Sequence, residues 1–267
     1  PTLPAGMKEP AERAAYIMLH IWDFPENLSS PENAEQALSD FLSVADAGVA
    51  PAEAYVNAVN TLTSKAQAAG IDILSLAAKY TADPYAPFFN DELYLPFVDA
   101  ALASKKLLDS TPGLADRLKY DRACILKNRV GTPSTSFSAQ LRSCQTVPVE
   151  KLFSAPLNLV VLFDPFCDHC REILSGLSDS PSLAKAVADR RVNVIAVWIE
   201  AQDSADALAF PSTAGWNVVA DRTGIMDKEL YELPIMPSVY VIDNKGTVVN
   251  KNLVEVSKIL AALGLSD

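Results

Sequence analysis

Residues 161–174 read VLFDPFCDHCREIL and set Cys167, Asp168, His169 and Cys170 in succession behind an apolar run. Two cysteines at this spacing with a histidine between them suit a redox dithiol, part of a metal clip or a structural disulfide. A closed zinc site takes four ligands, and the chain has no second Cys-x-x-Cys, so no metal is expected. A bridge across so short a loop constrains little of the unfolded chain, which makes it a weak structural staple. The redox reading is favoured. It calls for no cofactor beyond a Cys167–Cys170 disulfide.

That reading needs Cys167 at a strand-to-helix junction, and the flanks provide one. The run LNLVVLF (157–163) is β-branched and apolar, as in a strand buried on both faces, and 170–189 has helical character. A sulfur at a helix start meets unpaired N–H groups and the positive end of the helix dipole, so the thiolate of Cys167 is favoured as nucleophile. Cys170, within the first turn, is shielded and suits the resolving role. His169 can place positive charge or a donor near the sulfur, making the disulfide more oxidising.

The elements around the motif change character near residue 129. Before it, helical periodicity dominates. SSPENAEQALSDFLSVA offers Ser30 as N-cap and Pro31 as first helical residue, and PAEAYVNAVNTLTSKAQAAG ends at Gly70. Similar patterns cover about 10–22, 71–81, 90–104 and 113–127, giving six helices and no strand. After it the order is strand, helix, strand, helix, strand, strand, helix. VNVIAVWI (192–199) is the second buried strand, PSVYVID and GTVVN form an antiparallel hairpin, VEVSKILAALGL closes as a helix, and 131–152 adds an irregular β segment in front. The expectation is an all-α domain at 1–128 and an α/β domain at 129–267, with a central mixed sheet flanked by helices.

Composition narrows the partners. With 267 residues, 49% hydrophobic and 21% charged, the chain is globular. A net charge of −11 argues against nucleic acid, since phosphates are held mainly by Lys and Arg. Residues 1–128 hold 10 basic and 17 acidic side chains, and 129–267 hold 12 and 16, so neither part is a basic arm. No apolar window is long enough for a transmembrane helix. The chain opens at Pro1 with no leader, so a signal peptide or lipid anchor is expected to have been removed.

Cys-x-x-Cys between strand and helix, followed by IMPSVYVID, resembles the thioredoxin superfamily over residues 129–267. The resemblance implies a cis Met236-Pro237 bond facing the dithiol, with the Met236 backbone free for an extended substrate. NRVGTPSTSF and GWNVVADRTG look most like the TlpA-like extracytoplasmic thiol-disulfide oxidoreductases of bacteria. MLHIWDF, YTADPYAPFFNDELYLPF and KNRVG resemble the helical domain of unknown function fused ahead of such domains in secreted or lipid-anchored proteins. Two family positions differ: Phe166 stands where Trp often precedes the first cysteine, and Val161 where a buried acid often lies. Asp164 and Glu200 are the remaining acids considered as proton acceptors for Cys170.

The expected function is therefore a protein thiol-disulfide oxidoreductase of the periplasm or cell envelope. Its partners would be protein thiols or disulfides and an upstream redox protein. The alternative is a redox-inert binding module in which the helical domain performs recognition. Cys124 and Cys144 flank the boundary as buried thiols or a bridge. His20, Trp22, Phe88, Phe89 and Tyr94 read as packing residues.

Overall fold

The computed structural model describes residues 1–199 and 215–267, which divide into two compact units, Pro1–Ile125 and Leu126–Asp267. The first unit is helical: α1 Pro10–His20, α2 Pro31–Asp46, α3 Ala52–Ala69, α4 Ile73–Thr81, α5 Asp91–Ala103, α6 Lys105–Ser110 and α7 Leu114–Leu126. Ser30 caps α2 by accepting the Asn33 N–H at 3.2 Å. Gly70 closes α3 in the left-handed region at φ 74°. The unpredicted helix α6 arises because Ser104 ends α5 in extended conformation and caps a new helix through the Leu107 N–H at 3.4 Å. Trp22 meets Phe41 edge-on and Phe41 stacks on Tyr55, and the buried Tyr55 hydroxyl donates to the Leu93 carbonyl at 2.7 Å. Tyr94 is buried, Phe88 and Phe89 are half-buried, and His20 pairs with Asp23 at 2.7 Å.

The second unit holds β1 Ser138–Gln140, β2 Thr146–Pro148, β3 Leu157–Phe163, α8 Asp168–Ser178, α9 Pro181–Ala188, β4 Val192–Trp198, β5 Asn217–Asp221, β6 Ser238–Asp243, β7 Val248–Lys251 and a C-terminal helix, Val256–Ala262. The strands form one mixed sheet in the order β2-β1-β5-β4-β3-β6-β7, with β3, β4 and β5 parallel. Alternation along β3 builds two cores. Leu159, Val161 and Phe163 face α8, α9 and the C-terminal helix, while Val160 and Leu162 face Phe137, Tyr231 and Tyr240.

Three sequence expectations are corrected here. The single helix at 170–189 is two, because Pro181 has no N–H to continue the ladder and Ser180 caps a fresh start through Leu183 N at 3.1 Å. The irregular segment at 131–152 contains a regular antiparallel pair, β1 and β2. Strand β5 is an addition to the expected order, while the helix expected between the second strand and the hairpin falls on an interval of which 200–214 lie outside the described residues. Asn158, Asn193 and Asn217 form a side-chain ladder across β3, β4 and β5, with links of 3.2 and 2.8 Å. Buried amides cost free energy unless paired, and here each satisfies the next.

Candidate redox site

The site is built on the turn that leaves β3. Asp164 holds this turn twice: its carboxylate accepts the Phe166 N–H at 2.9 Å, and its carbonyl accepts the Cys167 N–H at 3.2 Å. Both bonds are local, which is the usual way Asp shapes a short turn. The chain then enters α8 with Cys167 as its N-cap, and the Cys167 sulfur accepts the Cys170 N–H at 3.4 Å. A sulfur occupies the place where Ser or Asp commonly satisfies a free N–H of the first turn.

The two sulfurs sit in different surroundings. Cys167 is half-buried, while Cys170 is wholly buried in the core beneath α8. Burial pushes the Cys170 thiol up to about 12, opposed by the Asp164 N–H directed at its sulfur and aided by Cys167 and the Asp164 charge. Among the described residues all four cysteines are thiols, Cys124 half-buried and Cys144 exposed. The Met236-Pro237 bond is cis, Pro237 is buried, and β6 begins at Ser238. The Cys167 thiol donates to the Met236 carbonyl at 3.8 Å, so this carbonyl is engaged rather than free, contrary to the sequence expectation.

The remaining predicted residues surround this pair. Asp168 is exposed and ion-paired with Arg171, whose guanidinium also donates to the Pro165 carbonyl at 3.1 Å. His169 is half-buried and its Nδ1 lies 3.6 Å from the Glu172 carboxylate, one turn along α8. Among the described residues it makes no hydrogen bond to either sulfur, so any effect on them acts through space. Phe166 is 80% exposed and meets the buried Trp198 edge-on at 6.2 Å. Glu200 lies outside the described residues. No group of three or more His, Cys, Asp or Glu that could hold a metal occurs among the described residues.

Sequence reasoning missed Arg171 and Trp198. Arg171 had a signal, being three residues after Asp168 on a helix, where side chains meet. Trp198 had none, because it reaches Phe166 only through the pairing of Phe163 with Trp198 across β3 and β4.

Residues 1–128 match a family described as a domain of unknown function, DUF5106. The whole chain is similar to the crystal structure of a thioredoxin-like protein from Bacteroides caccae. That match has 26% identity and a TM-score of 0.82, covering 99% of this chain and 96% of that one. The second unit has a thioredoxin-like fold, and the helical part ahead of it matches DUF5106. Two further structures from Bacteroides fragilis each cover about half of this chain. The C-terminal domain of an uncharacterized protein has 26% identity and a TM-score of 0.47, covering 52% of this chain and 99% of that one. A conserved protein of unknown function has 20% identity and a TM-score of 0.46, covering 51% and 98%. No curated protein matches. Among the described residues, no helix of the thioredoxin-like protein is long and apolar enough to cross a membrane.

Proposed function

We propose that this thioredoxin-like chain is a protein thiol-disulfide oxidoreductase acting outside the cytoplasm, with Cys167 as nucleophile and Cys170 as resolving thiol. The observation that carries the reading is the asymmetry of the pair: Cys167 Sγ at a helix start and beside the Met236 carbonyl, Cys170 buried beneath it.

In the reducing direction the Cys167 thiolate attacks one sulfur of a substrate disulfide. A Cys167–substrate bond forms and the other substrate sulfur leaves as a thiolate, which takes a proton. Cys170 then gives up its proton and attacks Cys167. The Cys167–Cys170 bond forms, and the second substrate sulfur leaves and is protonated. The substrate gains two electrons and two protons, and an upstream dithiol protein returns them to the pair. The oxidising direction runs these steps in reverse. Loss of the Cys167 proton removes the donor to the Met236 carbonyl, leaving that carbonyl free for an extended substrate strand. Phe166 offers an exposed aromatic face beside the reacting sulfur.

Trapping tests the assignment. Cys170→Ser is expected to accumulate mixed disulfides with envelope proteins, because attack proceeds and resolution does not, whereas Cys167→Ser accumulates none. Equal trapping by both variants, or by neither, contradicts the division of roles.

A further inference from the structure

The helical unit contains a cavity of about 460 Å³ between the C-terminal turn of α3, the start of α4, and helices α5, α6 and α7. Ligand pockets run from about 300 to 1,000 Å³. Leu74, Phe97, Leu107 and Leu114 provide an apolar lining.

Two polar features of its wall go beyond packing. A helical threonine commonly returns its hydroxyl to the carbonyl four residues earlier. Thr61 does so to Asn57 at 3.0 Å, and Thr81 to Ala77 at 2.7 Å. Thr63, which lines the cavity, does not: its Oγ1 is buried and bonds to no described residue. Neighbouring Gln67 and Ser104 satisfy each other at 3.1 Å and leave it unmatched.

The second feature is charge. Lys106 and Arg117 line the cavity and are exposed, and the one lining carboxylate, Asp72, is occupied by Ser75 N at 3.1 Å and Ser75 Oγ at 2.7 Å. Arg117 reaches the Tyr94 hydroxyl and pairs with Asp121 only at 3.8 Å. In a region holding 10 basic and 17 acidic side chains, this rim is positive against the local trend.

We propose that this cavity is a binding site for a small anion with an apolar body, such as a medium-chain or aromatic carboxylate. Its charge lies between Lys106 and Arg117, and its body lies on Leu74, Phe97, Leu107 and Leu114. The opposite polarity is disfavoured, because the only lining carboxylate is already capping α4.

Fluorescence titration of the full chain with anilinonaphthalene sulfonate, an apolar body carrying one anion, tests the assignment. One saturable equivalent is expected, displaced by octanoate and weakened by added salt. Lys106→Glu and Arg117→Glu are each expected to weaken it about fivefold, the size of a partly exposed ion pair. Leu107→Trp, which fills the cavity, is expected to abolish it. Absence of saturable binding, or unchanged affinity in both charge-reversed variants, overturns the proposal even if Leu107→Trp fails to fold.

Discussion

Burial of Cys170 has a measurable consequence for alkaline stability. In the unfolded chain the thiol titrates at its ordinary 9.0, while in the reduced folded chain burial holds it to about 12. Between these values the unfolded state has released the proton and the folded state has not, so unfolding releases a proton and rising pH favours it. Stability is complete below 9 and falls by about 1.4 kcal/mol per pH unit above it. The full loss by pH 12 is on the order of 4 kcal/mol. The assay is urea unfolding of the reduced protein from pH 8 to 11, compared at each pH with Cys170→Ala. Groups that titrate alike in both proteins, including the buried Tyr55 and Tyr231, cancel in the difference. A constant offset between the curves reflects the lost sulfur, and only the slope reports its proton. Parallel curves from pH 9 to 11 would refute the burial assigned to Cys170.

Four other outcomes follow from the same contacts. Asp164→Asn keeps an oxygen for the Phe166 N–H and removes a charge that raises the Cys170 thiol, so its difference curve should start at the same pH but level off at lower pH, with a smaller total loss. Asp164→Ala also loses that turn bond and should cost about 1 kcal/mol by urea unfolding at pH 7. His169→Ala should make the disulfide less oxidising by about 20 mV in glutathione equilibration, and an unchanged potential would leave the helix start as the sole tuner. Asn193→Val strips the centre of the Asn158–Asn193–Asn217 ladder and should destabilise by about 1–3 kcal/mol, with unchanged stability contradicting the buried pairing.

What the sequence disclosed was local. The apolar run of β3, the helix start behind it, the glycine end of α3 and the turn before β7 each carry their signal within a few residues. So does the dithiol, whose asymmetry follows from sitting at a strand-to-helix junction. The break between α8 and α9 was also readable, since Ser180-Pro181 is a cap followed by a first-turn proline, but the continuous apolar face masked it. Strand β5 is short and begins with Asn217, whose amide is needed for a ladder that exists only once β3, β4 and β5 pair. Trp198 reaches Phe166 by the same tertiary route. The direction of His169 depends on a choice between a sulfur and the Glu172 carboxylate, which spacing alone does not decide. The cavity of the helical unit draws on five helices and left no motif.

The reduction potential of the Cys167–Cys170 pair tests the central claim most directly. Alkylation of free thiols after equilibration across a series of glutathione ratios gives that potential. A single reversible two-electron step between about −270 and −120 mV, lost in both Cys167→Ser and Cys170→Ser, is the predicted result. A disulfide still intact below about −300 mV, or no disulfide at any ratio, would contradict an oxidoreductase and return the thioredoxin-like unit to a scaffold for binding.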